Sequence, residues 1–264
     1  MGELVFIGLG LRDEGDMSRK AVDAALRCDS LFAEFYTSVH ECSDVKRLEG
    51  MFGKKVEVLG REAVESGERI MAAARSGVAG FLVPGDPMTA TTHIELRLRA
   101  EKEGIRTRVV HGTSILSAAA GLLGLQSYKF GRTTTIPFKR KGFEPRSPYE
   151  VIRQNRAQGL HTLALLDIDE GERRTLRADE ALGYLLEIES VERGGVVTEG
   201  TLACVVADAG SDEPLVRTDL VGSLVKERLG NKVQTLVFPG KLHFMEAEAL
   251  QVLAHAPKDI ERIT

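Results

Sequence analysis

Two α/β domains are the fold class that the sequence predicts, and three observations carry the expectation. In the first half, short apolar runs alternate with helical patterns, the signature of a parallel sheet covered on both faces. One of these runs, Val78 to Val83, stops at Pro84-Gly85-Asp86-Pro87. That places a stiff loop at the carboxyl end of a strand, where ligands bind in open α/β sheets. After Val110 the character changes: His111-Gly112-Thr113-Ser114 leads into a helix of small side chains, Ser117, Ala118, Ala119, Ala120 and Gly121. This stretch reads as the hinge between an N-terminal α/β domain, 1–111, and a C-terminal α/β domain, 112–264.

The first half opens with a strand, Leu4 to Ile7, followed by Gly8-Leu9-Gly10-Leu11. A Gly-x-Gly here suggests a dinucleotide loop, but that pattern needs a third glycine where Asp13 stands. What remains is either a ligand approaching bare backbone or a plain strand-to-helix turn. Ser18 caps a helix running to Cys28, with Val22, Ala25 and Leu26 as its apolar positions. Leu31 to Phe35 is a second strand holding Glu34, a ligand or, more commonly at a strand end, a solvent-facing group. Val45, Leu48 and Phe52 mark a helix, Val56 to Leu59 a strand, and Glu68 to Arg75 a helix closed by Gly77. A helix from about His93 to Glu103, stopped by Gly104, and a strand from Thr107 to Val110 complete this half.

The central loop constrains its own carboxylate. Pro84 and Pro87 restrict the backbone, and Asp86, preceding a proline, is pushed towards extended geometry. Asp86 then serves a ligand, caps a helix whose first residue is Pro87, or does both. His111 is a candidate acid–base group, although a single histidine ending a strand is more often structural.

The second half begins with an extended piece, Tyr128 to Phe138, then a helix from Tyr149 to about Gln158 and an apolar strand, His161 to Ile168. A helix from Ala178 to about Glu189, a strand from Leu202 to Ala207 and the loop Asp208-Ala209-Gly210-Ser211 follow. Leu220 to Leu229 reads as a helix, Thr235 to Phe238 as a strand, and Pro239-Gly240-Lys241-Leu242-His243 leads into a last helix from Met245. These strands suit a mixed sheet.

Composition narrows the classes. Hydrophobic residues make up 43% and charged residues 28%, values of a soluble globular protein. The net charge of -4 argues against general binding to nucleic acid or an acidic membrane. Cys28, Cys42 and Cys204 are odd in number and lack metal-type spacing, so reduced thiols, a cytoplasmic location and no metal are expected. Asp13, Glu14 and Asp16 follow the first strand at once, unlike a signal peptide. The weakly polar run Ser114 to Leu125 is too short for a bilayer and is broken by Gly121 and Gly124.

Charge is uneven in the second half. Lys129, Arg132, Lys139, Arg140, Lys141, Arg146, Arg153 and Arg156 face only Glu144 and Glu150 in the 129–156 stretch, a local net of +6. The 167–192 stretch carries nine acidic residues against Arg173, Arg174 and Arg177, a net of -6. Such runs are usually solvated faces. The sharper reading is a docking surface for a macromolecule around Phe138-Lys139-Arg140-Lys141-Gly142-Phe143.

No Gly-x-Ser-x-Gly, HExxH, P-loop or paired-cysteine metal site is present. Loops of Gly, Asp, Thr and Ser at strand ends suit a nucleoside-like ligand. Six segments then stand together: Gly8-Leu9-Gly10-Leu11, Ala33-Glu34-Phe35-Tyr36-Thr37-Ser38, Pro84-Gly85-Asp86-Pro87, Ala90-Thr91-Thr92-His93, Gly159-Leu160-His161-Thr162-Leu163 and Pro239-Gly240-Lys241-Leu242-His243. In order and spacing, over nearly the whole chain, they resemble the diphthine synthase family, methyltransferases of diphthamide biosynthesis in archaea and eukaryotes. The Gly-Asp-Pro loop alone points only to the wider tetrapyrrole methylase-like class. The resemblance implies two α/β domains with S-adenosylmethionine in the cleft between them, and a homodimer. It also implies successive methyl transfers to the amino group of a modified histidine in translation elongation factor 2.

The family's cofactor contacts fall on Leu11, Asp86, Thr89, Ser114, Ile115, Leu166, Ala209 and Gln234. Several are apolar, so recognition of the adenine through backbone N–H and C=O groups is expected. Gly112-Thr113 stands where some members carry Ala-Pro, and Gln234 where some carry histidine. Whether position 234 acts through backbone or side chain stays open. Methyl transfer from a sulfonium is an in-line displacement with an activated donor, so holding amine and methyl in line is the main task. The amine must be neutral, and the residues single out no base. The rival readings are a same-fold methylase of a small corrinoid-type precursor and a non-enzymatic sensor of an adenosyl ligand.

Overall fold

The computed structural model describes residues 2–36, 45–140, 142, 144–169, 174–230 and 232–260. It divides into two compact units, Met1–Ile115 and Leu116–Thr264.

The first unit is a parallel sheet of β1 (Glu3–Gly8), β2 (Ser30–Ala33), β3 (Val56–Val58), β4 (Val78–Val83) and β5 (Arg106–Val110), in the order β3-β2-β4-β1-β5. Its helices are α1 (Arg19–Arg27), α2 (Val45–Phe52), α3 (Arg61–Ser66), α4 (Glu68–Ser76) and α5 (Ile94–Lys102). Side chains alternate across a strand, so Val5 and Ile7 pack with α1 and α2 while Leu4 and Phe6 pack with α4 and α5. All four are fully buried, which is why the strand reads as an unbroken apolar run. Each such side chain contributes about 1.5–3 kcal/mol of burial.

Most first-half expectations hold, with instructive differences. The Ser18 hydroxyl accepts the Ala21 N–H at 3.1 Å and caps α1. The buried face of α1 is Ala21, Ala24 and Ala25, and Leu26 is exposed. Helix α3 has no counterpart among the expected elements. It is a short, mostly exposed turn of helix closed by Gly67 at φ +63°. Glu34 does not face solvent: it is fully buried, and one carboxylate oxygen accepts the Tyr36 N–H at 2.9 Å. Thr37, Ser38 and Cys42 lie outside the described residues.

The topology positions the site. The chain leaves β1 through α1 over one face and leaves β4 through α5 over the other. Adjacent strands whose connections depart to opposite faces open a crevice at their carboxyl ends. The Gly8–Gly10 and Pro84–Pro87 loops sit there.

The second unit begins in α6 (Ile115–Leu123) and is built on β6 (Thr134–Ile136), β7 (Thr162–Leu166), β10 (Leu202–Ala207), β11 (Leu215–Leu220) and β12 (Gln234–Phe238). The sheet order is β11-β10-β12-β7-β6, antiparallel except for the parallel β6–β7 pair. A small ribbon pairs β8 (Ile168–Asp169) with β9 (Arg174–Thr175). Helices α7 (Ser147–Ala157), α8 (Ala178–Glu192), α9 (Val221–Leu224) and α10 (Phe244–Leu253) complete it. Tyr149, Ile152, Leu182, Leu185, Val205 and Leu236 share one core.

The helix expected from Leu220 to Leu229 is corrected: strand β11 ends at Leu220, and α9 is only one turn long. Strand pairing with β10 from Leu202↔Leu220 to Ala207↔Leu215 outcompetes the helical spacing of Leu220, Val221 and Leu224. The strongly charged stretches meet each other. Lys139 pairs with Glu187 at 2.5 Å and Glu144 at 3.6 Å, Arg140 with Asp169 at 3.5 Å, and Arg146 with Glu192. The basic segment is thus largely neutralised within the second unit rather than presented as a bare docking face. Lys141, Phe143 and Arg173 lie outside the described residues. No helix among the described residues is long and apolar enough to cross a membrane, and no cluster of three or more His, Cys, Asp or Glu there could hold a metal ion.

Candidate functional site

Three loops of the first unit converge at the carboxyl ends of β1, β4 and β5. Register brings Gly8 opposite Val83, and Ile7 opposite Val110. The Leu9 N–H donates to the Val83 carbonyl at 2.8 Å, and Gly10 and Gly85 exchange backbone bonds at 3.3 and 2.6 Å. Gly8 sits where a Cβ would come within 2.5 Å of the Gly112 nitrogen and 2.7 Å of the Gly85 carbonyl oxygen. The bare backbone at Gly8 therefore admits the protein's own loops. Gly85 differs: its φ of +68° favours glycine, and the nearest atom to an added Cβ is the Thr113 carbonyl oxygen at 3.9 Å. Beside Gly85, unlike Gly8, the protein's own backbone leaves room for a methyl group.

Asp86 is the hub of this junction. Its side chain is 8% exposed. One oxygen accepts the Met88 N–H at 2.9 Å and the Thr89 hydroxyl at 3.1 Å, and the other lies 2.7 Å from His111 Nδ1. Burial alone would raise its pKa, yet the Met88 N–H, His111 and the Thr89 hydroxyl outweigh it and hold the carboxyl below its ordinary value. Asp86 caps a turn and not a helix, because α5 begins only at Ile94. An ionised carboxylate offers about four lone-pair sites, and three donors occupy three of them.

The loop after β1 closes on itself. Asp16 accepts the Leu11 and Arg12 N–H groups at 3.2 and 2.8 Å, and Asp13 caps a 3-10 turn, Glu14–Asp16, through the Gly15 N–H. No helix N-terminus is left there for a pyrophosphate, which disposes of the dinucleotide pattern. Leu11 and Thr89 are half-buried, as are Ser114 and Ile115, where the unit's last residues enter α6.

The other three expected contacts gather at one place in the second unit. Antiparallel pairing of Leu165 with Thr235 and of Ala207 with Gln234 sets Leu166 and the 208–211 turn on either side of Gln234. Ala209 follows Asp208, which adopts φ +52°, and the turn is closed by the Ser211 N–H on the Asp208 carbonyl at 2.9 Å. The Gln234 side chain is buried and spoken for. Its Oε1 accepts the Ala178 N–H at the start of α8 at 2.8 Å, and its Nε2 donates to the Leu229 and Gly230 carbonyls at 2.7 and 3.3 Å.

A second polar cluster in this unit joins two of the six segments. His161 is fully buried; its Nδ1 accepts the Gly240 N–H at 2.9 Å, and its Nε2 faces Glu246 Oε1 at 2.9 Å. Glu246 also takes the Gln126 and His243 N–H groups and the Lys129 ammonium. Burial would raise the Glu246 pKa, but these donors bring it down to about 2. The cluster is a clasp, since every polar atom named is answered from within the fold. In the first unit His93 is likewise buried, its Nδ1 on the Pro87 carbonyl at 3.3 Å, and burial lowers its pKa to about 4.

Residues 3–224 match the family model described as tetrapyrrole (corrin/porphyrin) methylases. The chain is 45% identical over 257 residues to the diphthine synthase of Methanothermobacter thermautotrophicus, covering 97% of each chain. It is 43% identical over 253 residues to that of Methanocaldococcus jannaschii, covering 95% of this chain and 98% of the relative. The chain belongs to the diphthine synthase family. A crystal structure of a diphthine synthase superposes with a TM-score of 0.90 at 36% identity, covering 99% of this chain and all of the other. That of a putative diphthine synthase from Entamoeba histolytica gives 0.88 at 32% identity, over 97% and 100%. The fold is accordingly that of the tetrapyrrole methylases. Sequence reasoning in this diphthine synthase family member named Asp86 and His111 separately, but not their pairing, and it missed the His161–Glu246 clasp. Those partners are 25 and 85 residues apart, so no local pattern links them.

Proposed function

We propose that this chain binds S-adenosylmethionine through Leu11, Asp86, Thr89, Ser114 and Ile115 of the first unit and Leu166, Ala209 and Gln234 of the second. It is a methyltransferase of diphthamide biosynthesis. The acceptor is the amino group of the modified histidine of elongation factor 2.

The observation that carries this reading is the junction of three loops around Asp86. Its residues fit the cofactor: an ionised, immobilised carboxylate with one lone pair to spare suits ribose hydroxyls or a nearby positive charge. When bound, S-adenosylmethionine supplies a methyl group already activated for displacement. The chain's own task is to hold the amine in line and exclude water. At position 234 the side chain is committed to Ala178, Leu229 and Gly230, which supports a contact through backbone there. A cytoplasmic setting agrees with the buried thiols of Cys28 and Cys204, whose pKa values burial pushes up to about 11 and about 12. Homodimerisation agrees with the exposed apolar residues Phe244, Met245, Val252 and Leu253 of α10.

Mass spectrometry of elongation factor 2 bearing the unmethylated precursor, after incubation with this protein and S-adenosylmethionine, is expected to show methyl-sized increments on the modified histidine. A factor of unchanged mass, with the cofactor bound, would refute the assignment.

A further inference from the structure

Amine methylation needs a nitrogen lone pair, and an aliphatic amine near neutral pH is held as an ammonium ion. Each transfer to a nitrogen that still carries protons leaves a new ammonium, so successive transfers need repeated proton removal. A general base within reach of the acceptor supplies it. Among the titratable groups of the first unit's loops, His93 is 2% exposed and Glu34 fully buried, so neither meets an acceptor. Asp86 is buried and engaged by three donors, which makes it a poor proton acceptor.

His111 has the opposite character. Its ring is 74% exposed while its Nδ1 lies 2.7 Å from Asp86 Oδ2. Asp86 is itself fixed by the Met88 N–H and the Thr89 hydroxyl. The backbone on either side of His111 is pinned, Val110 by pairing with Ile7 and Gly112 by its wedge against Gly8 and Gly85. A carboxylate on Nδ1 keeps the proton on that nitrogen and leaves the lone pair on Nε2, the arrangement by which a carboxylate prepares a histidine base.

We propose that His111, oriented by Asp86, is the general base that takes the proton from the acceptor amine before methyl transfer; this rests on the function proposed above. The ammonium N–H bond breaks, its electron pair stays on nitrogen, and the proton bonds to His111 Nε2. The freed pair then forms the new C–N bond as the methyl–sulfur bond breaks and its electrons remain on sulfur. The imidazolium, its charge offset by Asp86, returns the proton to water before the next cycle. On the loop that follows β1, the strand beside β5, the charged groups are Arg12, Asp13, Glu14 and Asp16. Asp13 and Asp16 are tied to backbone N–H groups of their own loop.

The test is single-turnover methylation of the precursor-bearing factor at saturating cofactor, across mildly acidic to alkaline pH, by the wild type and by His111→Asn and His111→Gln. Both variants keep a donor for Asp86 and lack a proton acceptor. They are expected to lose roughly 10²- to 10⁴-fold in rate at neutral pH. The loss should shrink as pH rises and the amine deprotonates by itself, and added imidazole should restore part of the rate. Calorimetric affinity for S-adenosylmethionine should stay within about twofold of wild type, the margin of a change that leaves the site's contacts intact. Variants as fast as wild type with the same pH profile overturn the base. So does a loss of rate that neither alkaline pH nor imidazole relieves. A wild type that binds the cofactor yet methylates nothing overturns the functional reading itself, and the base with it.

Discussion

His161 and Glu246 face each other in the interior of the second unit, Nε2 to Oε1 at 2.9 Å, with both side chains closed to solvent. The Gly240 N–H on His161 Nδ1 fixes the tautomer, so Nε2–H donates to the carboxylate. Through Lys129, Gln126 and His243 the same carboxylate gathers the chain after α6, the strand β7 and the start of α10. Two segments that mark the family in sequence are thus held together by a buried hydrogen-bonded cluster.

Removing one partner from such a cluster leaves buried donors unanswered. Glu246→Ala is expected to cost about 3–5 kcal/mol of unfolding free energy in urea titrations. Glu246→Gln should cost less and change the acid response. The folded carboxyl titrates near about 2 against an ordinary 4.5, so its contribution is complete above 4.5 and is lost as pH falls from there through about 2. The shift corresponds to about 3 kcal/mol. A Glu246→Gln protein with the wild-type slope below pH 4.5 would show that the cluster does not bear on stability.

His93 acts in a different pH window. Burial keeps it neutral down to about 4, whereas the unfolded chain binds that proton at an ordinary 6.5. Between these values the unfolded state carries the extra proton, so stability falls as pH drops from 6.5 towards 4, by about 3 kcal/mol in all. Above 6.5 there is no effect. His93→Gln, which keeps a donor for the Pro87 carbonyl, should flatten melting temperature against pH in this window relative to wild type. Parallel curves for the two proteins would mean that His93 is charged in the fold.

What could be read from the chain follows from the range of the forces involved. The strand Val78–Val83 was legible to the residue because burial on both faces leaves an unbroken apolar run between Gly77 and Pro84. Asp86 was legible because two prolines restrict its loop, whereas its partner His111 comes from another strand end. The β11 strand was not, since Arg217 and Asp219 interrupt its apolar residues. They pair with each other at 2.6 Å on an edge strand, and Arg217 also reaches Glu227 at 3.1 Å. The glycines after β1 signalled close approach, but only the structure shows that Gly8 makes room for Gly85 and Gly112.

Gln234 separates structural from cofactor roles at one of the expected contacts. Truncation to Ala leaves the Ala178 N–H and the Leu229 carbonyl without their partner and is expected to cost about 1–3 kcal/mol. If the proposed contact at this position is made by backbone, affinity for S-adenosylmethionine should be nearly unchanged in the folded protein. Calorimetry beside a denaturation curve reads both. A stable Gln234→Ala protein that has lost the cofactor would put the side chain in the site.

The +6 and -6 stretches offer a last discrimination. Lys139 and Arg140 are about half to two-thirds exposed, and their partners Glu187, Glu144 and Asp169 stand within 4 Å on the same unit. Exposed pairs of this kind contribute little to stability each. Reversing both charges replaces attraction by repulsion, so the Lys139→Glu/Arg140→Glu protein should melt at a slightly lower temperature at low salt. The deficit should fade as salt is raised and the screening length shortens from roughly 30 Å at 0.01 M to about 10 Å at 0.1 M. Adding Glu187→Lys should recover part of it. The folded protein should methylate elongation factor 2 at the wild-type rate with the wild-type salt dependence, since these charges are spent on their own fold. A docking role makes the opposite forecast: stability unchanged, rate reduced and its salt response blunted. Initial rates and melting temperatures over one salt series decide between the two.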